Sequence, residues 1–350
     1  NDKYGPYDDI GDFQFSPDGK TLVYKVNIKD KHYVISGNAK YGPYDVIKDL
    51  QFSPDGKTLV YGVKIDGKYY IISGNAKYGP YDDIDYLQFS PDGKTLVYEV
   101  RIDGKYYVIS GNDKYGPYDD IDYLQFSPDG KTLVYRAEID YKYYVIAGNK
   151  KYGPYDYIGW LQFSPDGKTL VYRAEIDDEW YVIAGNDKYG PYHGIIWDLQ
   201  FSPDGKTLAY EVEIADEWYV ITGNKKYGPY DYDYISDLQF SPDGKTLVYK
   251  AKIDDKYYVI AGNKKYGPYD EIFDLQFSPD GKILTYEAEI DIGFLDLLIL
   301  NNERIYAGSL IFDSNNNYIG YVYYDEINKK IVIVKWVFLF ISFCKNKELL

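Results

Sequence analysis

The amino-acid sequence predicts an all-β fold, a closed β-propeller of four-stranded antiparallel blades, on three observations. The string Phe-Ser-Pro-Asp-Gly-Lys begins at Phe15, Phe52, Phe89, Phe126, Phe163, Phe201, Phe240 and Phe277 (Phe-Ser-Pro-Asp-Gly-Lys throughout), at steps of 37, 37, 37, 37, 38, 39 and 37 residues. Every unit holds several turn signals between short apolar stretches. The chain carries 46 Tyr and no Met in 350 residues, and Tyr suits the pleated, half-buried surface of a strand. Four strands in a repeat of roughly 40 residues is the mark of propeller blades. A β-solenoid is the rival, but its parallel coils need no hairpin turn in every unit.

One unit shows how each strand is read. Strand a is expected over 86–90. Pro91-Asp92-Gly93-Lys94 then makes a tight turn, with Pro and Asp at its central positions and Gly in the left-handed position that follows. Strand b is expected over 95–102, with a hairpin turn at Asp103-Gly104, and strand c over 105–110. Gly111-Asn112 turns again into a short strand d over 114–118, which contains Gly116-Pro117. A Pro belongs on an edge strand, so strand d is expected at the sheet edge.

A ninth, degenerate copy follows the eight clear ones. Leu310 to Tyr321 lines up with the Leu-Gln-Phe-Ser-Pro-Asp-Gly-Lys stretch, and Phe312 lies 35 residues after Phe277. The chain opens on Asn1-Asp2-Lys3-Tyr4-Gly5-Pro6-Tyr7, a strand d with no strands before it. The expected plan is one domain over 1–350. Residues 1–8 close the last blade, 9–308 form eight near-identical repeats, 309–340 a ninth, and 341–350 a tail. Nine blades are expected, with eight and a C-terminal appendage as the alternative. Closure would remove the open sheet edges that template aggregation. The scattered substitutions among the copies favour natural amplification of the repeat.

The Phe-Ser-Pro-Asp-Gly-Lys core followed by an apolar strand resembles the WD40-like (PD40) repeats of TolB-type propellers, which also occur in the propeller domains of prolyl-oligopeptidase-type peptidases. The resemblance covers most of the chain. It implies that strand a lines a channel, that strand d is outermost, and that the d–a and b–c connections share one face. It also implies an extracytoplasmic setting, periplasmic or secreted. The repeated residues build turns, so the resemblance carries fold more than function.

Composition narrows the function. The net charge is -16, which repels nucleic-acid phosphates and favours basic peptides or cations. Cys344 is the lone cysteine, and the two histidines are His32 and His193, so neither an internal disulfide nor a Cys/His metal site is expected. The apolar run 331–343 is too short to span a bilayer and contains Lys335. The chain begins with Asn1 and reads as a mature or trimmed segment. There is no Gly-x-Ser-x-Gly elbow, no phosphate-binding glycine loop and no calcium loop. The expectation is a monomeric, non-enzymatic protein without cofactor.

Variation among the repeats is uneven. The Ser-Pro-Asp-Gly-Lys turns hardly change, while the segment leading into strand a changes most: Asp-Asp-Ile-Asp-Tyr-Leu at Asp82 and Asp119, Asp-Tyr-Ile-Gly-Trp-Leu at Asp156, His-Gly-Ile-Ile-Trp-Asp-Leu at His193. The b–c turn varies too, as at Asp140-Tyr141, Asp177-Asp178-Glu179 and Asp216-Glu217. A scaffold that holds its turns fixed and alters one rim suits a binding surface. The candidate ligand-binding residues are therefore Trp160, Trp180, Trp197, Trp218, His193, Asp178, Glu179, Asp216, Glu217, Tyr86 and Tyr123. Aromatic rings beside carboxylates suit a cation, a basic peptide or a sugar. The alternative for Trp180 and Trp218 is that they replace Tyr69 and Tyr106 and pack between blades. Strand b carries charges that change from unit to unit, namely Glu99, Arg136, Arg173, Glu211, Lys250 and Glu287; they either pair between blades or form a solvated face. The leading function is a scaffold that binds a protein or peptide. The alternatives are a carbohydrate-binding propeller and the propeller part of a peptidase-type enzyme.

Overall fold

Hairpins follow one another through this chain without a helix among the described residues. The computed structural model describes residues 5–194, 196–231 and 235–289, and the backbone of strands at 297–300, 303–306, 309–312, 318–325 and 330–337. Contacts divide the chain into two compact units, Asn1–Phe163 with Leu170–Asp177, and Ser164–Thr169 with Asp178–Leu350. The first unit holds four complete four-stranded sheets, over 9–44, 46–81, 83–118 and 120–155, then the hairpin strands of 157–176. The second holds the strands of 179–192, four-stranded sheets over 196–230, 235–269 and 271–306, and a last sheet of three strands over 309–337. We number the sheets by repeat, so that the sheet over 196–230 is the sixth.

The third sheet represents the others. Its strands are Asp83–Phe89 (a), Leu96–Ile102 (b), Lys105–Ser110 (c) and Asp113–Tyr118 (d), each antiparallel to the next in chain order. The a–b turn explains why Ser-Pro-Asp-Gly-Lys is invariant. Gly93 N–H donates to the Ser90 carbonyl at 2.8 Å, and Ser90 Oγ donates to Asp92 Oδ1 at 2.7 Å. That carboxylate accepts from Lys94 N at 3.1 Å, while Ser90 Oγ accepts from Thr95 N at 2.9 Å. Gly93 sits at φ 71°, where a side chain is disfavoured. The b–c turn has Asp103 and Gly104 both at positive φ, 51° and 79°, the primed geometry that matches strand twist.

Strand a is longer than the sequence suggests. It starts at Asp83 rather than Tyr86, and a bulge interrupts it. Asp85 faces Glu99 and Gln88 faces Val97, so Tyr86 and Leu87 together oppose Tyr98. Tyr86 has φ 48°. The extra residue puts the buried pair Ile84 and Leu87 three positions apart, which breaks the period-2 pattern by which a strand is recognised. The segment expected to be a variable connection is thus the first half of strand a.

Strand b is buried on both faces. Val60 and Ile71 of the second sheet pack against Ile84, Leu87, Tyr98 and Val100 of the third. Val97 and Val108 of the third pack in turn against Ile121, Leu124, Tyr135 and Ala137 of the fourth. The second unit repeats this, with Val220 against Leu238 and Tyr249, and Val259 against Leu275 and Tyr286. Each fully buried Val or Ile contributes about 1.5–3 kcal/mol. Four-stranded sheets in chain order, packed face to face with the next, make this an all-β fold of propeller blades.

The tyrosine content follows from the same packing. A strand-d tyrosine meets a strand-b tyrosine of the next sheet edge to face, their hydroxyls hydrogen-bonded. Tyr118 and Tyr135 are 3.0 Å apart at oxygen in the first unit, and Tyr230 and Tyr249 2.8 Å in the second. A buried phenol needs such a partner.

Closure by residues 1–8 is not seen. Residues 1–4 lie outside the described residues, Gly5–Tyr7 carries no strand, and the last sheet has three strands among the described residues. Tyr7 nevertheless packs edge to face on Tyr24, at 6.4 Å between ring centres, as Tyr118 packs on Tyr135. Ile10, Phe13 and Phe15, on the first strand of the first sheet, stay exposed. The stretch expected as a ninth repeat holds strands at Ser309–Phe312, Tyr318–Asp325 and Lys330–Val337. The expected tail at 341–350 lies outside the described residues.

Candidate binding rim

The two variable segments adjoin at one edge of each sheet. The aspartate that precedes strand a reaches across to the b–c turn of its own sheet. Asp45 Oδ2 accepts from Asp66 N at 3.0 Å, Asp82 Oδ2 from Asp103 N at 2.7 Å, and Asp119 Oδ2 from Asp140 N at 2.9 Å. In the second unit Asp231 does the same to Asp255 N at 3.1 Å. The other carboxylate oxygen takes the lysine that begins strand c of the preceding sheet: Lys31 to Asp45, Lys68 to Asp82, Lys105 to Asp119, and in the second unit Lys256 to Asp270. Lys68 beside Asp82 and the Asp103 N–H hold that carboxyl below its ordinary value.

Asp156 of the fifth repeat keeps both bonds, from Asp177 N–H and from Lys142, but strand c of the fifth and sixth sheets does not supply the lysine to the sheet that follows. Glu179 and Glu217 stand where the lysine does elsewhere, and His193, exposed, stands at the aspartate position. Tyr181 Oη donates to Glu179 at 2.8 Å, and Tyr219 Oη donates to Glu217. Asp178 and Asp216 occupy the second position of their turns at φ 63° and 64°, and both are exposed. In the second unit, Asp178, Glu179, Asp216 and Glu217 lie at the b–c turns and His193 at the strand-a lead-in.

The aromatic candidates fall into three structural positions. Tyr86, Tyr123 and Trp160, all in the first unit, are the left-handed bulge residues of strand a, at φ 48°, 55° and 57°. Tyr86 and Tyr123 are exposed and Trp160 is half-buried. Trp197 lies one position before its bulge, opposite Glu211, and is exposed. Its sheet has Asp198 in the bulge, at φ 44°. Trp160 and Trp197 are therefore not counterparts, although they sit alike in the sequence.

Trp180 and Trp218 are the counterparts of Tyr69 and Tyr106, paired across to Tyr192 and Tyr230. Trp180 is half-buried. Trp218 is only 5% exposed and packs with Val220, Tyr230 and Leu238. It is a core residue rather than a rim contact, because its strand-c position faces the neighbouring sheet.

Sequence reasoning missed the carboxylates at the bulge. Asp12, Asp49, Asp198, Asp237 and Asp274 hold the same left-handed position as Tyr86. Asp tolerates that conformation better than most residues, and a bulge is a place where a strand re-aims a side chain. Desolvation and the neighbouring Asp85 raise Asp49, and desolvation and Asp237 raise Asp198. A run of Asp or aromatic residues at fixed spacing, just before the conserved Leu-Gln-Phe, is the signal that could have found them. Among the described residues, no group of three or more His, Cys, Asp or Glu is placed to hold a metal ion, and no helix is long and apolar enough to cross a membrane.

No protein-family profile matches the chain, and no curated protein matches it. Among solved structures it is similar to the Dos1 propeller, at 14% identity and a TM-score of 0.35, covering 79% of this chain and 88% of that one. It is similar to TolB from Acinetobacter baumannii at 16% identity and a TM-score of 0.30, covering 72% and 75%. The dihydro-heme d1 dehydrogenase NirN, in complex with DHE, gives 15% identity and a TM-score of 0.36, covering 93% and 75%.

Proposed function

We propose that this protein is a non-catalytic scaffold that binds a basic protein or peptide segment through the edge where the strand-a lead-in meets the b–c turn. One observation carries the reading. The two stretches that vary most between repeats are hydrogen-bonded neighbours, as in Asp82 and Asp103, while the constant Ser-Pro-Asp-Gly-Lys turns lie at the other end of strand a. A fixed frame with its variation gathered at one edge supports recognition. The chemistry on offer is aromatic rings at Tyr86, Tyr123 and Trp160, and carboxylates at the other bulges. Such groups take lysine and arginine side chains by stacking and by charge. The reading carries with it an extracytoplasmic setting.

The test is an array of immobilised Lys/Arg-rich peptides, with a glycan array beside it. The triple variant Tyr86→Ala/Tyr123→Ala/Trp160→Ala is expected to weaken peptide binding at least tenfold. The triple variant Lys57→Ala/Lys94→Ala/Lys131→Ala, in the constant turns, is expected to leave it unchanged. Binding to glycans alone would replace this reading with a carbohydrate-binding one.

A further inference from the structure

Four of the seams between sheets share one contact, while strand b of the third, sixth and eighth sheets carries a glutamate at that position, Glu99, Glu211 and Glu287. In the first unit, Lys25 Nζ donates to the Ile47 carbonyl of the next sheet at 3.2 Å, Lys48 Nζ to the Ile84 carbonyl at 3.1 Å, and an Arg136 guanidinium N–H to the Ile158 carbonyl at 2.8 Å. In the second unit, Lys250 Nζ donates to the Ile272 carbonyl at 2.9 Å. A cation thus ties each of these sheets to the isoleucine carbonyl in strand a of the following one. Between the third and fourth sheets the strand-b residue is Glu99, and the corresponding carbonyl belongs to Ile121.

The surroundings of Glu99 are acidic on both sides. Asp85 stands directly opposite it across the third sheet, with Asp83 two residues away on the same strand. Asp120 and Asp122 flank Ile121 on the facing strand. The nearby cations are engaged elsewhere or lie outside. Lys48 bonds Asp83 and the Ile84 carbonyl, and Arg136 bonds Asp122 and the Ile158 carbonyl. Arg101, opposite Asp83, is exposed. Strand c places the apolar Val108 against Glu99. An ionised Glu99 would bring a half-buried negative charge, with acceptors only, against four carboxylates and a carbonyl oxygen.

We propose that Glu99 occupies this seam as the neutral acid, its O–H standing in for the lysine or arginine donor to the Ile121 carbonyl, and that release of this proton to solvent loosens the third sheet from the fourth. Desolvation, then repulsion from Asp85, Asp120, Asp122 and Asp83, pushes the carboxyl up to about 7 from its ordinary 4.5. A folded-state value raised above the unfolded one gives a contribution that is full below the unfolded value and lost as pH rises through the folded one. The window therefore runs from about 4.5 to about 7. This seam lies between the bulges of Tyr86 and Tyr123, so its state alters how those rings are presented. The proposal concerns the seam itself and stands apart from what the rim binds.

The test follows the Glu99 carboxyl carbon by NMR in the full chain labelled with carbon-13 glutamate, assigned by its loss in Glu99→Gln. Amide hydrogen exchange of strands 96–102 and 120–126, corrected for the intrinsic pH dependence, is measured alongside. The expected result is a carboxyl midpoint near 7, with corrected exchange at least tenfold faster at high pH than at low pH, and uniformly slow exchange in Glu99→Gln. A midpoint near 4.5, or the same pH dependence in Glu99→Gln and the parent, overturns the proposal. If Glu99→Gln does not fold, Asp85→Asn serves. Removal of the facing carboxylate lowers the Glu99 midpoint, and an unchanged midpoint overturns the proposal.

Discussion

Lys48 faces Gly62 across the second sheet, and its ammonium does from strand a what Lys25, Arg136 and Lys250 do from strand b. The glycine is required there. A Cβ built on Gly62 would lie 2.2 Å from Ile84 Cδ1, so the isoleucine of the third sheet fills the space that a strand-b side chain takes elsewhere. The first sheet shows the opposite arrangement, with Gly11 facing Lys25.

The Lys48–Gly62 exchange predicts a double-variant result. Gly62→Ala overpacks the seam and costs about 1–3 kcal/mol. Lys48→Gly removes the donor to the Ile84 carbonyl. Combining Lys48→Gly with Gly62→Lys returns a donor to the seam from strand b, as in the first sheet, and the double variant is expected to lose less stability than the sum of the two single changes. Urea denaturation of the set measures the coupling.

The constant turns predict acid sensitivity. Ser90 and the Lys94 N–H hold the Asp92 carboxyl down at about 2, and the equivalent bonds hold Asp129 and Asp243 at about 2. A depressed folded-state value gives stability that is present above the unfolded value near 3.8 and lost as pH falls through the folded one. The melting temperature is expected to fall steeply as pH drops from 4 towards 2. Ser90→Ala, which removes the main hydrogen bond to Asp92, makes that fall shallower and lowers the melting temperature at neutral pH.

The b–c turns predict opposite effects for glycine. Tyr141 holds φ 60° in the position that Gly104 fills at 79°, and is 90% exposed. A non-glycine residue in that region costs about 1–2 kcal/mol. Tyr141→Gly is expected to stabilise the protein by up to about 1 kcal/mol, after the unfolded chain's gain in freedom. Gly104→Ala destabilises by a similar amount. Thermal unfolding of both variants checks the sign.

The two kinds of tryptophan separate stability from recognition. Trp218→Ala leaves a cavity beside Val220 and Leu238 and is expected to cost about 3–5 kcal/mol. Trp197→Ala, at an exposed position, is expected to change stability by much less. Urea midpoints of the pair report the difference.

Much of the fold was legible because the turns announce themselves. Ser-Pro-Asp-Gly-Lys names the a–b hairpin of each of the eight clear units and Asp-Gly the b–c hairpin of the second and third, and strand c over 105–110 is legible from its Tyr, Val and Ile. The bulge left only a weak trace, since Tyr86, Trp160 and Asp198 share a backbone conformation and a place in the repeat but no side-chain chemistry. Trp160 and Trp197 therefore looked like partners in sequence while holding different registers. Trp218 read as a rim aromatic because burial on the strand-c face depends on the next sheet. The seam contact was hidden for the same reason. Strand b displays Lys25, Gly62, Glu99 and Arg136 in turn, and the donor to the following carbonyl comes from Lys25 and Arg136 on strand b but from Lys48 on strand a.

The footprint of a bound Lys/Arg-rich peptide on the full chain, read by amide hydrogen exchange, tests the binding rim most directly. Slowed exchange is predicted at 82–86, 119–123 and 156–160 and at the b–c turns near 103, 140 and 177, with the turns at 90–94 and 127–131 unaffected. Protection confined to those constant turns would contradict the account.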